Sequence, residues 1–233
     1  TKIINLGSLT ESDIILEIGP GTGNLTEKII EKSPKEIHVV EKDINLSNLL
    51  KQKYGNKINV INKDILECYD DFKFNTQVKV FGNLPYNIST RILVSLIRIK
   101  NLNNFFSKFI FIFQKEVADR IVANNNSKDY GRLSILSSWK FEKKKILDIS
   151  PNSFYPKPKV DGIVIEFTPI DTYIDVDLEK LKIILKSAFE NRRKKIKNSL
   201  QNYSSYFDNW DKEKDLRPEN LDVKKYCFLA KNN

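Results

Sequence analysis

Four consecutive residues, Asn83, Leu84, Pro85 and Tyr86, combine a side-chain amide, a backbone carbonyl and an aromatic ring directly after an apolar segment. Asn83 offers a carbonyl oxygen that can accept a proton of an amine. Leu84 can offer its backbone carbonyl, held extended because the next residue is proline. Tyr86 can stack on a flat base, a contact of roughly 1–3 kcal/mol per base. An exocyclic amine on an aromatic ring is a poor nucleophile, because its lone pair is spread into the ring. A group of this kind would hold such a nitrogen bent and aim it at a methyl donor. The plainer alternative is a proline-containing turn at a strand end.

A second constellation lies upstream. Ile14–Ile18 is a short apolar run of the kind that forms a buried parallel strand. It enters Gly19-Pro20-Gly21-Thr22-Gly23, and a helical pattern follows with Leu25, Ile29 and Ile30 on one face. Strand, glycine turn and helix open a nucleotide-binding βαβ unit. The glycines let backbone approach a ligand closely. Their G-x-G-x-G spacing differs from the dinucleotide pattern and gives less reason to expect a pyrophosphate. Two further apolar runs end in acids: Ile37–Val40 in Glu41, and Ile58–Ile61 shortly before Asp64. Open α/β sheets bind ligands outside the carboxyl ends of their strands. An acid about twenty residues past the glycines can take both ribose hydroxyls, and the next can accept from an adenine amino group. Solvated loop charges are the alternative.

The chain resembles the KsgA-type ribosomal RNA adenine dimethyltransferases, the ribosomal RNA small subunit methyltransferase A family. The matching pieces run in order along nearly the whole chain: L-E-I-G-P-G-T-G at 16–23, V-E-K-D at 40–43, D-I-L at 64–66 and V-F-G-N-L-P-Y-N-I-S-T at 80–90. Then come F-Q-K-E-V-A-D-R at 113–120, Y-G-R-L-S at 130–134 and S-F-Y-P-K-P-K-V-D at 153–161. Last are A-F-E-N-R-R-K-K-I-K-N-S-L at 188–200 and L-R-P-E-N-L at 216–221. The resemblance implies an S-adenosylmethionine-dependent enzyme that dimethylates the 6-amino groups of two adjacent adenosines near the 3′ end of small-subunit rRNA, with rRNA or a small-subunit precursor as partner. By position, Glu17, Gly19, Pro20, Gly21 and Gly23 would back the methionine part of the cofactor. Glu41, with Lys42 beside it, would bind the ribose. Asp64 would take the adenine amino group, with Ile65 packing on the ring. Asn83, Leu84, Pro85 and Tyr86 would present the target adenine, and Phe154 would close its other face.

The implied fold is a Rossmann-like, doubly wound mixed sheet over residues 1–170, with a small helical domain at 171–233. Phe105–Phe113 is too short to span a bilayer and reads as a central strand; Phe141–Ile149 and Val160–Phe167 read as the last two strands. The 233 residues suffice for one α/β domain and a small appendage. No apolar run reaches the ~18 residues of a membrane span. One histidine inside an apparent strand (His38) and two distant cysteines (Cys68 and Cys227) argue against a metal or a disulfide framework. A net charge of +9 suits a polyanionic partner. Arg192, Arg193, Lys194, Lys195 and Lys197, beside Ala188, Phe189, Ile196 and Leu200, read as an amphipathic basic helix that grips phosphates. Lys157 and Lys159 flank Phe154 and would extend that surface.

Methyl transfer from a sulfonium needs positioning and neither a metal nor a strong base. A single chain acting as a monomer is expected, in the cytoplasm, or in an organelle if a targeting segment has been removed upstream. The family's usual Gln-Asn-Phe-Leu lid segment before the first strand is not found. Gly162 stands where the family usually has serine. Two alternatives remain: an assembly or organellar transcription factor on the same fold with methylation secondary, and an enzyme methylating a single large-subunit adenine.

Overall fold

The computed structural model describes all residues except 1, 70, 73, 154–159, 172–174, 207–209, 211, 212 and 233. Two compact units are present, residues 1–118 with 141–170, and residues 119–140 with 171–233. The predicted positions Phe154, Lys157 and Lys159 lie outside the described residues.

The first unit is a seven-stranded sheet in the order β3-β2-β1-β4-β5-β7-β6. Its strands are β1 (Ile14–Ile18), β2 (Glu36–Val40), β3 (Asn59–Ile61), β4 (Val78–Gly82), β5 (Phe106–Gln114), β6 (Phe141–Ile149) and β7 (Gly162–Pro169). β1 through β5 pair in parallel, and β7 runs antiparallel to both its neighbours. This is the Rossmann-like mixed sheet that the residue pattern implies. The chain steps outward from β1 through β2 to β3, then returns to add β4 on the other side of β1. That reversal is the switch point at which open α/β sheets bind ligands.

Central strands are covered on both faces, so they read as unbroken apolar runs. All five residues of β1 are buried. On β5, Phe109, Phe111 and Phe113 share one face, where their rings meet Phe141 and Phe167 at centroid distances of 5.5 to 6.2 Å. These are edge-on and tilted contacts, the favoured aromatic geometries. The alternate residues Ile110 and Ile112 join Ile15, Phe81 and Val164 in the core of the opposite face. Gly82 closes β4 because nothing larger fits: a Cβ there would stand 2.7 Å from Leu84 Cδ2 and 3.0 Å from the Phe111 ring.

The second unit is helical. Helix Leu178–Glu190 is capped by Asp177, whose Oδ1 accepts from the backbone N–H groups of Glu179 and Lys180. It buries Leu181, Ile184, Leu185 and Ala188, the spacing of one helix face. Helix Val223–Asn232 buries Tyr226, whose ring lies 6.0 Å from that of Phe189. The expected basic helix is not formed. Residues 191–195 are a turn between Glu190, where one helix ends, and the short helix Ile196–Ser199. Arg193 and Lys197 would be like charges four residues apart on a continued helix, which is unfavourable, and Asn191 leaves helical geometry at φ −114°, ψ 42°. Lys194 N–H then bonds Asn191 O at 2.8 Å. Restarting at Lys195 lets Ile196 and Leu200 both be buried.

No helix among the described residues is long and apolar enough to cross a membrane.

Candidate active site

Sheet register brings the site together. Ile18, the last residue of β1, pairs with Val40 of β2 and with Gly82 of β4, and Val40 pairs with Ile61 of β3. The next residues, Gly19, Glu41, Asn62 and Asn83, therefore emerge side by side at one edge. Two backbone bonds extend the ladder past the strands: Gly19 N–H to Val40 O at 2.9 Å and Glu41 N–H to Ile61 O at 3.1 Å. Residues separated by more than sixty positions in the chain are thus positioned by strand pairing alone.

Glu41 holds two turns at once. Its Oε2 accepts from Gly21 N–H at 3.1 Å and its Oε1 from Asp43 N–H at 2.9 Å. Asp43 in turn caps helix Ile44–Tyr54, accepting from Asn45 and Leu46. Each Glu41 oxygen keeps acceptor capacity for a further donor. Gly21 has φ +57°, and a Cβ built on it meets nothing within 4 Å. Its backbone faces open space in the left-handed conformation that glycine tolerates. Glu17, in contrast, is wholly buried, and Thr26 Oγ1 donates to its Oε2 at 2.6 Å. Burial, with the nearby Glu41 charge adding to it, pushes the Glu17 carboxyl up to about 7.

Asp64 is itself a helix cap. Its Oδ1 accepts from Leu66 N–H at 2.9 Å, and its Oδ2 from Lys42 Nζ at 2.9 Å. Lys42 holds the Asp64 carboxyl below the ordinary carboxylate range, with the Leu66 N–H adding to it. Ile65 beside it is buried. Arg91, exposed on helix Ser89–Ile97, is near enough for its charge to act on both Asp64 and Lys42.

In the Asn83–Tyr86 segment the side chains divide cleanly. Asn83 and Pro85 are exposed and Leu84 is buried. The buried Leu84 anchors the segment against Gly82 and Phe111. Pro85 O accepts from the N–H groups of Ile88 and Ser89, both at 3.0 Å, which closes a turn leading into the next helix. The Asn83 side chain has no hydrogen bond among the described residues. Tyr86 is half-buried, its hydroxyl has no partner among the described residues, and burial raises its pKa.

Part of this constellation lines one cleft of about 700 Å³, which Tyr86 does not border. Glu17, Gly19, Pro20, Gly21, Glu41, Lys42, Asp64, Ile65, Asn83 and Pro85 all border it. Gly23 and Leu84 are not among its lining residues. Several contributors were not expected. Ile3, Ile112 and Ile149 form an apolar wall, and nothing in their spacing marks them. Asn62 Nδ2 donates to Glu41 O at 2.9 Å and Lys42 O at 3.1 Å, and Tyr54 Oη donates to Gly23 O at 2.9 Å. An asparagine directly after a strand is a readable signal for the first. The tyrosine offers none.

In the helical unit the basic turn is partly neutralised. Arg192 pairs with Glu219 at 3.5 Å and donates to Ser127 O at 3.4 Å. Lys195 and Lys197 both pair with Asp215, at 3.0 and 2.8 Å. Arg193 and Lys194 are exposed and carry no ion pair among the described residues.

A profile of ribosomal RNA adenine dimethylases matches residues 1–226. The chain belongs to the ribosomal RNA adenine dimethylase family. It is an S-adenosylmethionine-dependent rRNA adenine dimethyltransferase. Among curated relatives, the ribosomal RNA small subunit methyltransferase A of Pelagibacter ubique is 44% identical over 238 residues, covering 99% of this chain and 89% of that one. The protein of the same name from Wolbachia of Drosophila simulans is 40% identical, covering 99% and 87%. A crystal structure of a dimethyladenosine transferase from Plasmodium falciparum aligns with a TM-score of 0.82 at 25% identity, covering 98% of this dimethylase and 92% of that chain. The 23S rRNA methyltransferase ErmE shares the fold, with a TM-score of 0.68 at 21% identity over 98% and 95% of the two chains.

Proposed function

We propose that this dimethylase converts two adjacent adenosines near the 3′ end of small-subunit rRNA to dimethyladenosines, using S-adenosylmethionine held in the β1–β4 cleft. The observation that carries the reading is the register that sets Gly19, Glu41 and Asn83 in one row. It joins a nucleoside-binding edge to an amine-holding loop.

The cleft suits the cofactor. The open backbone at Gly21 can lie against the methionine portion without a Cβ intervening. Glu17 is a carboxyl positioned to meet an ammonium group. Glu41 retains acceptor sites for ribose hydroxyls, and Asp64 stands at the end of the next connection for an adenine amino group, with Ile65 beside it. When bound, S-adenosylmethionine supplies an electrophilic methyl group on a sulfonium. The chain itself supplies orientation. Asn83 Oδ1 and the Leu84 carbonyl accept the two N–H bonds of the target amine, turning its lone pair toward the methyl. Tyr86 stacks on the base, and Phe154 closes the other face. Positioning of this kind accounts for much of the acceleration in two-substrate reactions. The helical part, residues 171–233, grips rRNA phosphates through Arg192, Arg193, Lys194, Lys195 and Lys197, with Lys157 and Lys159 contributing near the base.

The test is transfer of labelled methyl groups to small ribosomal subunits lacking the two dimethyladenosines, with large subunits in parallel. Label in small-subunit rRNA approaching four methyls per particle is expected. Label confined to large subunits would make the enzyme a large-subunit type. Tight salt-sensitive binding without label would make it an assembly or transcription factor.

A further inference from the structure

Glu41 is held by the protein at its backbone and at both side-chain oxygens. Its N–H donates to Ile61 O at 3.1 Å, its Oε1 accepts from Asp43 N–H at 2.9 Å and its Oε2 from Gly21 N–H at 3.1 Å. Its carbonyl is engaged as well, by Asn62 Nδ2 at 2.9 Å and by Ser47 Oγ at 3.2 Å.

Asn62 does more than hold that carbonyl. Its Nδ2 also lies 3.1 Å from Lys42 O and 3.1 Å from Ser47 Oγ. Two of these three partners are carbonyls, which can only accept, so the amide must present its nitrogen to them. Lys42 C=O and Asp43 N–H are the two ends of one planar trans peptide and point in opposite directions. Asn62 therefore grips one end of a rigid plate whose other end donates to Glu41 Oε1. Hydrogen bonds chained in this way polarise one another. Ser47 is wholly buried in the first turn of helix Ile44–Tyr54, the helix that Asp43 caps. Asn62 thus ties the end of β3 to the turn after β2 and to the helix that follows it. Asn62 itself is exposed and is not among the residues lining the cleft. Its route to the Glu41 carboxylate is the 42–43 peptide.

We propose that Asn62 is a positioning residue for recognition of the cofactor ribose: by holding the 42–43 peptide it keeps Asp43 N–H on Glu41 Oε1, and so aims the remaining acceptor sites of that carboxylate at the ribose hydroxyls. This rests on the reading of Glu41 as the ribose partner. A carboxylate already fixed in place loses little freedom when a ligand binds, which favours affinity.

The experiment measures by calorimetry the affinity of wild type, Asn62→Ala and Asn62→Asp for S-adenosylhomocysteine and for its analogue lacking both ribose hydroxyls. Wild type should bind the analogue about tenfold or more weakly than S-adenosylhomocysteine. Asn62→Ala should bind S-adenosylhomocysteine about three- to tenfold more weakly than wild type does. Asn62→Asp keeps the shape but turns an acceptor toward two carbonyls, and should bind it at least as weakly as Asn62→Ala. For the analogue, wild type and Asn62→Ala should agree within about twofold, because the coupled partner is gone. An equal loss for both ligands would mean that Asn62 supports the cleft at large, and overturns the proposal. Wild-type affinity for S-adenosylhomocysteine in either variant overturns it too. If wild type binds both ligands equally, the reading of Glu41 itself falls, and the role of Asn62 with it.

Discussion

The strand-end cleft and the basic turn both drew attention as clusters of polar residues, yet they are built by opposite means. In the cleft, a row of residues is placed by backbone pairing: Gly19, Glu41, Asn62 and Asn83 follow from β-register. In the turn at 191–195, no ladder positions the cations, and their partners Glu219 and Asp215 lie about twenty residues or more away in the chain. A register specifies position to a fraction of a residue. A run of like charges specifies only that the backbone must expose them. The first kind of site suits chemistry, which fails with an ångström of error. The second suits phosphate binding, which does not need it.

That contrast can be broken at several points. The largest effect is expected from Asn83→Ala, which removes the acceptor but leaves an exposed, unbonded position behind. Transfer should fall by about 10²–10³-fold, the range for loss of one preorganised polar group, with the thermal midpoint unchanged. Near-normal turnover would remove Asn83 from the chemistry.

Next comes Glu17→Gln. Glu17 is raised in the folded protein from the ordinary 4.5 to about 7. The folded state thus holds the proton more tightly than the unfolded one. Its stabilising contribution is whole below pH ~4.5 and is lost as pH rises through ~7, a change of roughly 3 kcal/mol at 1.36 kcal/mol per unit. Thermal melts from pH 5 to 8 should show wild type losing stability relative to Glu17→Gln. Parallel curves would mean that Glu17 ionises without penalty.

Gly82→Ala is predicted to cost about 1–3 kcal/mol through overpacking against Leu84 and Phe111, read as a fall of about 2–4 °C in Tm per kcal/mol. Because Leu84 anchors the Asn83 loop, turnover should fall as well. The smallest effect belongs to the basic turn. Replacing Arg193 and Lys194 with alanine should flatten the salt slope of RNA binding by about two. Replacing Lys195 and Lys197 should flatten it less, since Asp215 already engages both. Equal slopes would show that the ion pairs dissolve on RNA.

The comparison also explains what could be read from the residues. Apolar runs at 14–18, 37–40 and 58–61, with a glycine or an acid at or shortly after each end, are period and punctuation, and the sheet places strands there. β5 was legible as a central strand for the same reason. The helix expected at 192–197 failed because charge spacing over six residues carries no backbone preference strong enough to outweigh Asn191 and the burial of Ile196 and Leu200. Ile3, Ile112 and Ile149 could not be found, because an isoleucine lining a cleft and an isoleucine in a core have the same neighbours in sequence. Asp64 was readable as an acid after a strand, whereas Asp43 was not singled out. Their role as helix caps follows from the apolar residues after them.

Inserting β7 antiparallel between β5 and β6 has a kinetic consequence. β1, β2 and β3 follow one another in the chain and pair in that order, so their contacts close short loops. β7 must enter a slot between two strands already laid down, one of them some fifty residues earlier in the chain. Long loop closures come late and slowly. The β1–β3 edge should therefore acquire protection in pulsed hydrogen exchange before β7 does, and simultaneous protection would refute that order. A nascent chain would thus have β1 through β4 paired before β7 closes the sheet.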